Sequence, residues 1–326
     1  MKKIALFMLL IIGITASPAA AQGLFSLFSS AEPKKTIRVK FVDGDEEAKD
    51  EILLISIKGV IQEQDNQDGM PFKIEKDLFE NLKNDLEVAR KRKAVKAILL
   101  EINSPGGEVT ASDIVYQQLK KVQKETEKPV VAIIGTMGAS GAYYVACAAK
   151  KILAHPTSII GSIGVLMQAF NLEELAHKIG FKAITLKSDK TPMKDLLSPF
   201  KEVTPEERAM LMGIIDSIYN RFIDIVSESR NLSREQVIKI ADGGIFTADR
   251  AKELGLIDAV GYREDAIAEA CDLADIESAA LVKRVTKKSI SDILSDMSAM
   301  SSGVPALRSE LRRLIMENGT PQLLFR

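Results

Sequence analysis

The stretch VKAILLEINSPGG, residues 95–107, contains a strand and the turn that ends it, and this stretch decides the fold. The run from Val95 to Ile102 has only two charged side chains, which is typical of a strand covered on both faces. Gly106 and Gly107 then allow a sharp backbone bend. Apolar residues at helical spacing follow from Thr110 to Thr126. This order of strand, turn and helix predicts an α/β fold.

Further segments of the same two kinds lie on both sides of this stretch. Upstream, Ile52–Ile57 predicts a strand and Lys73–Lys91 predicts an amphipathic helix. Downstream, Val130–Ile134 predicts a second buried strand, and residues 137–149 predict a turn followed by a helix of small residues. Short strands that alternate with helices predict βαβ units and a mostly parallel sheet.

Helix start signals mark the second half of the chain. Thr204 and Glu207 form a capping-box pattern, with a proline between them, and apolar residues keep helical spacing over Pro205–Arg230. A second capping-box pattern, Ser233 to Gln236, predicts the start of the next helix, and Thr247 is expected to cap another.

The N-terminal residues predict export. Lys2 and Lys3 precede a run without charge from Ile4 to Ala31, whose first part is strongly apolar. The small residues at 19–21 have the A-x-A form of a signal-peptide cleavage site. Two interpretations remain open, a cleaved signal peptide and an uncleaved membrane anchor. Both direct the rest of the chain to the extracytoplasmic, periplasmic side, because the positive charges stay inside.

Changes in composition divide the chain into four parts. Residues 1–31 are the predicted signal peptide or anchor, and residues 32–50, which are charged and contain a proline, are a predicted linker. The α/β domain is expected over residues 51–282. Residues 283–326 predict a flexible connection rich in Ser, Lys, Asp and Met, followed by a C-terminal amphipathic helix and tail.

The composition argues against several functions. Lys plus Arg total 44 and Asp plus Glu total 45, so no excess of positive charge favours binding to nucleic acid. Two cysteines permit at most one disulfide, and the apolar surroundings of Cys147 favour a buried, inert thiol. With only two histidines and no CxxC or HExxH pattern, neither a metal nor another cofactor is expected.

Ser140 is the candidate nucleophile. It lies among the small residues 138–142 at the predicted start of a helix, where its hydroxyl is accessible and negative charge is favoured. The alternative is an ordinary serine that caps the helix. The turn at Gly106 and Gly107 could direct backbone N–H groups at an oxyanion, and the alternative is again an ordinary strand-to-helix turn.

A serine nucleophile requires a base, and the residues leave two classes open. Neither His155, before a proline in a strand-like segment, nor His177, on a charged helix, has a context that indicates a catalytic histidine. A lysine is the other candidate, provided that burial lowers its pKa enough to leave a neutral amine. Composition and spacing do not identify which lysine.

Seven short stretches, in the same order along the chain, resemble the signal peptide peptidases of the bacterial protease IV type, peptidase family S49, in their short form with one repeat. The resemblance covers roughly residues 52–262 and extends to the Clp-protease and crotonase-like superfamily, which implies repeated ββα units. It is carried by residues 102–107, 137–144, 161–165, 187–188, 194–200, 242–246 and 255–258.

The resemblance implies a role for each residue of a serine–lysine dyad. Ser140 corresponds to the nucleophile of the family and Lys194 to its general base. Ser162 matches a serine that orients the lysine amine. The backbone N–H groups of Gly107 and Gly141 match the donors of the oxyanion hole.

The segment that precedes Lys194 is longer than is usual in the family, so Lys187 and Lys190 remain alternative bases. The resemblance further implies apolar peptides as substrates, chiefly signal peptides left at the membrane. It also implies a ring-like homo-oligomer, in which the serine and the lysine can come from neighbouring subunits.

Two other functions remain open on the sequence alone. A crotonase-like acyl-transfer enzyme also uses glycine turns as oxyanion holes, although export would separate it from CoA. A catalytically inactive, membrane-associated scaffold would use the apolar N-terminus and the C-terminal tail. That tail, Gln322–Arg326, is an apolar segment that could occupy a substrate groove or be trimmed, and the alternative is a tail on the surface.

Overall fold

Strand β3, Val95–Ser104, lies in the middle of the main sheet, as its apolar sequence predicts. The elements given below all belong to the unit that begins at Val39. The structure is a computed structural model that describes residues 38–63, 78–285 and 323–325. The predicted signal or anchor and the predicted C-terminal helix lie outside these ranges. Within them, no helix is both long enough and apolar enough to cross a membrane.

Nine strands form the main sheet, and most neighbours run parallel. In spatial order, seven of them are β1 (Val39–Gly44), β11 (Ala280–Arg284), β2 (Glu51–Lys58), β3, β5 (Val130–Ala139), β6 (Lys151–Ala154) and β10 (Ala259–Val260). The end of β5 pairs instead with β7 (Ile159–Gly161), which pairs with β9 (Ile245–Thr247). Of the described pairs in this sheet, β1–β11 and β7–β9 are antiparallel and the others are parallel.

The central strands are buried on both faces, which explains their continuous apolar runs. On one face, alternate residues such as Leu99 and Val131 pack against Ala266 and Ala270 of the eighth helix. On the other face, Leu100 and its neighbours are equally inaccessible to water. The described helices are α1 (Leu78–Lys91), α2 (Val109–Thr126), α3 (Gly141–Ala146), α4 (Glu173–Lys178), α5 (Pro205–Arg230), α6 (Arg234–Ile238), α7 (Ala248–Glu253) and α8 (Arg263–Leu273).

The predicted helix starts are confirmed. At α5, the Glu207 N–H donates to Thr204 Oγ1 at 3.2 Å, and the Thr204 N–H donates to Glu207 Oε2 at 3.0 Å. Ser233 caps α6 in the same reciprocal way, and the Thr247 side chain accepts a backbone N–H at the start of α7. The predicted α/β class with a mostly parallel sheet is confirmed as well.

Two elements differ from the prediction. Strand β1 lies within the predicted linker, residues 32–50, because it forms a sheet edge by pairing with β11 from the far end of the domain. Val39, Phe41 and Val42 are apolar, but Lys40 separates them and the strand is only partly buried, so it lacks the continuous apolar run of the central strands. Strand β5 extends to Ala139 rather than ending at Ile134, since pairing with β7 holds the glycine-containing end that has low strand propensity.

Candidate active site

Ser140 lies at the junction between the end of β5 and the start of α3. Its φ of 54° and ψ of −123° fall in a region that residues other than glycine rarely adopt. The neighbours impose this conformation. The Ser140 N–H donates to the Gly161 carbonyl of β7 at 2.7 Å, and the Ser140 carbonyl accepts the Tyr144 N–H at 2.9 Å. The strand and the first helical turn therefore fix the serine from both sides.

The Ser140 hydroxyl is buried and, among the described residues, has no hydrogen-bond partner. It occupies the N-cap position of α3, yet its side chain makes no cap hydrogen bond. The interpretation of Ser140 as an ordinary capping serine is therefore not supported. A buried hydroxyl without a partner costs about 1–3 kcal/mol, and such a cost is typical of groups that are kept for a function.

The glycine turn after β3 is held by its surroundings. Gly106 has a φ of 103° and donates its N–H to Ser104 Oγ at 3.1 Å. Next to the turn, the Ile61 N–H donates to the Gly106 carbonyl at 2.8 Å, and the Glu108 N–H donates to the Ile61 carbonyl at 2.7 Å. A methyl group at Gly107 would lie 1.9 Å from the Ile61 oxygen. Only glycine fits at this position.

The two glycines that were predicted to form an oxyanion hole lie next to each other. A methyl group at Gly141 would lie 3.3 Å from the backbone nitrogen of Gly107 and 2.3 Å from Ser112 Oγ. Since Gly141 directly follows Ser140, the backbones of both glycines and of the serine belong to one small region. Backbone N–H groups in such a region can stabilise negative charge on an oxygen.

Ser162 lies beside Ser140 because of strand register. Residues Ala139 of β5 and Gly161 of β7 are directly paired, and each of the two serines follows one of them. Paired strands are separated by about 4.8 Å, which brings the two serines to the same edge of the sheet. Ser162 is buried, has a φ of 50°, and donates its backbone N–H to the Gly244 carbonyl at 2.6 Å.

The structure does not bring Lys194 into contact with Ser140 within one chain. Lys194 lies in a short 3₁₀ turn, Pro192–Asp195, and its side chain is exposed. Lys190, one of the alternative bases, is exposed in the same loop. The three residues Ser140, Gly107 and Gly141 thus come together with Ser162, whereas the side chain of the predicted base is exposed and makes no hydrogen bond to the buried Ser140 hydroxyl.

Asp195 binds two lysines that flank Lys194 in sequence. Lys187 Nζ lies 2.5 Å and Lys201 Nζ 3.2 Å from Asp195 Oδ1, and Lys201 also pairs with Glu207. The hydrogen bond from Lys187 lowers the pKa of Asp195, and the hydrogen bond to Glu207 raises the pKa of Lys201. Both lysine side chains are therefore engaged in salt bridges with carboxylates, which makes Lys187 a poor candidate for the base.

The last described residues lie against the glycine turn. Strand β12 (Leu323–Phe325) is the middle strand of a second, three-stranded sheet, between β4 (Gly107–Glu108) and β8 (Leu166–Met167). Both pairings are antiparallel, with Phe325 opposite Gly107 and Leu324 opposite Leu166. An extended segment of polypeptide therefore passes directly beside the region that contains Ser140.

Sequence reasoning missed a hydrogen-bond network that supports α3. The Tyr144 hydroxyl donates to Asp113 Oδ1 of α2, and Arg221 of α5 bonds both to Asp113 at 2.6 Å and to the Tyr144 oxygen at 3.1 Å. Burial, together with the hydrogen bond to Asp113, raises the pKa of Tyr144, so its phenol stays protonated. The tyrosine pair at 143–144, within a helix of small residues, was the signal in the sequence that could have indicated it.

The histidines and cysteines considered in the sequence analysis have ordinary environments. His155 Nδ1 lies 2.9 Å from Thr157 Oγ1, and His177 is exposed on α4. Cys147 and Cys271 are both free and buried. The predicted burial of Cys147 is confirmed, and burial raises the pKa of its thiol to about 12, as expected of an unreactive cysteine.

Comparison with known proteins identifies the relatives of this chain. The model of peptidase family S49 matches residues 122–277. A Methanocaldococcus jannaschii protein that is named as a protease is 36% identical over 285 residues, which cover 87% of this chain and 86% of that protein. Protease 4 of Salmonella typhi is 35% identical over 68% of this chain and 35% of its own length. The chloroplastic serine protease SPPA of Arabidopsis thaliana is 34% identical over 74% of this chain and 36% of its own length.

The strained conformation of Ser140 predicts an unusual effect on stability. Ser140→Gly should raise the free energy of unfolding by roughly 1 kcal/mol, because glycine adopts a φ of 54° without strain and the unpartnered hydroxyl is removed. Urea denaturation of the two proteins measures this difference.

Ser158→Gly is the matched control, since Ser158 is also buried but donates its hydroxyl to the Ile134 carbonyl at 3.0 Å. This variant should be destabilised by about 1–2 kcal/mol. Equal destabilisation of the Ser140→Gly and Ser158→Gly proteins would contradict the interpretation.

Proposed function

Because the chain belongs to peptidase family S49 and is a serine peptidase, we propose that Ser140 is its nucleophile and Lys194 its general base. The observation that carries this proposal is the buried, unpartnered Ser140 hydroxyl, held in a strained conformation beside the backbones of Gly107 and Gly141. Membership of the family argues against a crotonase-like acyl-CoA enzyme and against an inactive scaffold.

The proposed reaction is an acyl transfer that needs no metal or cofactor. The neutral amine of Lys194 accepts the proton of the Ser140 hydroxyl as the oxygen attacks the scissile carbonyl carbon. The carbonyl oxygen becomes an oxyanion, which the N–H groups of Gly107 and Gly141 stabilise. The protonated lysine then donates its proton to the leaving amine. Water, deprotonated by the same amine, cleaves the acyl-enzyme and restores both residues.

Lys194 is favoured as the base over its neighbours in the loop. Lys187 and Lys201 are both engaged by Asp195, and these contacts anchor the 3₁₀ turn that carries Lys194. Lys190 has no counterpart in the family motif, whereas Lys194 does. Ser162 is proposed to accept or donate a hydrogen bond that orients the lysine amine.

A second copy of the chain is proposed to complete the site. The segment between β8 and the middle of α5 exposes many large apolar side chains, among them Ile184 at 82% and Leu186 at 93%. Exposed apolar surface of this extent is typical of an interface between proteins. If a neighbouring subunit covers this segment, Lys194 of one chain can reach Ser140 of the next, and loss of water around the amine favours its neutral form.

The proposed substrates are apolar peptides in extended conformation, chiefly signal peptides left at the membrane. Strand β12 supports this class, since the sheet edges of β4 and β8 already accept an extended backbone between them. We further propose that the chain is exported, with the catalytic domain on the periplasmic side and residues 1–31 directing it to the membrane. This location would bring the site close to such substrates.

Mixing two inactive variants tests the shared site. Ser140→Ala and Lys194→Ala should each abolish hydrolysis of a fluorogenic apolar peptide, whereas Lys190→Ala should stay active. After the two inactive proteins are unfolded and refolded together in equal amounts, about a quarter of the subunit contacts should join an intact serine to an intact lysine. Activity should therefore return to roughly a quarter of the wild-type value.

Light scattering on the same samples measures oligomer size. An oligomeric mixture without any recovered activity would argue for a dyad within one chain. Full activity of the Lys194→Ala protein would contradict the assignment of the base.

Removal of the tail tests the proposed substrate groove. A chain that ends before residue 322 should hydrolyse the peptide with a lower KM, because β12 no longer competes for the edges of β4 and β8. Leu324→Pro is the matched variant of full length, since proline cannot donate the backbone hydrogen bond that strand pairing requires. Both changes should lower KM and leave kcat within about twofold of the wild-type value. An unchanged KM in both proteins would contradict competition between β12 and the substrate.

A further inference from the structure

Ser112 carries a buried hydroxyl that the proposed reaction does not yet use. It lies in the first turn of α2, is fully inaccessible to water, and its oxygen has no hydrogen-bond partner among the described residues. Serine and threonine inside a helix commonly bond to the carbonyl four residues earlier. Thr126, in the same helix, does so by donating to the Val122 carbonyl at 2.7 Å. Ser112 makes no such bond.

The hydroxyl of Ser112 lies where the two proposed oxyanion donors meet. A methyl group at Gly141 would come within 2.3 Å of Ser112 Oγ and within 3.3 Å of the Gly107 nitrogen. The serine oxygen therefore contacts the Gly141 backbone and faces the same small space as Gly107. This contact also gives a physical reason for glycine at position 141, because no side chain fits between the helices α2 and α3.

We propose that Ser112 is the third hydrogen-bond donor to the oxyanion, in addition to the N–H groups of Gly107 and Gly141. A hydroxyl can rotate to direct its hydrogen at the oxygen on which charge develops. Ser112 keeps its proton throughout, since Ser140 alone forms the bond to the carbonyl carbon. A donor that is held in a dry site before the reaction stabilises the transition state more than the uncharged substrate. The inference rests on the proposed peptidase function and deepens it.

Ser112→Ala tests the inference in the full chain. Loss of one oxyanion donor should lower kcat on the order of 100-fold, with KM changed by less than about threefold. A peptide aldehyde, which forms a tetrahedral adduct with Ser140, should lose affinity by a similar factor. Binding of the uncleaved peptide, compared between the Ser140→Ala protein and the Ser112→Ala/Ser140→Ala protein, should be unchanged. If Ser112 only supported the structure, its replacement would weaken binding of the aldehyde and of the uncleaved peptide by the same factor.

Ser229→Ala is the matched control, because Ser229 on α5 also has a buried hydroxyl oxygen, which lies beside the Cys147 thiol and not at the proposed oxyanion donors. It should retain wild-type kcat and wild-type affinity for the aldehyde. If Ser112→Ala fails to fold, Ser112→Cys keeps nearly the same volume with a weaker donor and should still lower aldehyde affinity more than peptide affinity.

Three results would overturn the inference. The first is a kcat and an aldehyde affinity of Ser112→Ala within about threefold of the wild-type values. The second is an equal loss of aldehyde and peptide affinity, which indicates a structural defect. The third is a wild-type protein that hydrolyses no apolar peptide, which would contradict the proposed function as well. In the first two cases the proposed function stands without Ser112.

Discussion

Strand β5 pairs with β3 on one side and with β7 on the other, and this parallel register determines where the proposed catalytic groups lie. Opposite Gly138, the end of β3 leads into the glycine turn, and opposite Ala139, the end of β7 leads into Ser162. Ser140 follows directly. Because parallel strands end at the same edge of a sheet, the residues that follow β3, β5 and β7 lie close together at that edge.

This register also imposes a cost on Ser140. Its N–H donates to the Gly161 carbonyl, and its own carbonyl accepts the Tyr144 N–H in the first turn of α3. These two hydrogen bonds hold the residue in its strained φ and ψ. Strain at a single residue, of about 1–3 kcal/mol, is small beside the burial of the central strands and persists for that reason. The buried hydroxyl makes no cap hydrogen bond to the helix.

The central strands could be predicted from the sequence, and Ser140 could be singled out as a candidate nucleophile, because both signals are local. The run before the glycine turn is apolar over its whole length, and Ser140 has only small neighbours. The edge strand β1 was missed because its signal is short: it has three apolar residues within a charged segment, and its pairing partner β11 comes from the far end of the domain. Ser112 could not be predicted either, because a serine in the first turn of a helix has no distinctive spacing. Its significance comes from contact with Gly141, which is distant in sequence.

Lys194 differs from the other site residues, since neither local pattern nor the fold of one chain joins it to Ser140. Its assignment depends on the family motif and on the way Asp195 engages Lys187 and Lys201. The exposed apolar side chains of the same segment give a physical reason for association between subunits. Such association would place Lys194 at the subunit interface. In this account one chain supplies a complete nucleophile and oxyanion pocket, and a second chain supplies the base.

The most direct test of the account is to locate the covalent bond. The wild-type protein would be treated with a peptidyl phosphonate that has an apolar sequence, and the modified residue would be identified by mass spectrometry of its peptides. The account predicts one phosphonyl group per inactivated site, attached to Ser140. Inactivation with the group on Ser112, Ser162 or any other residue would contradict it.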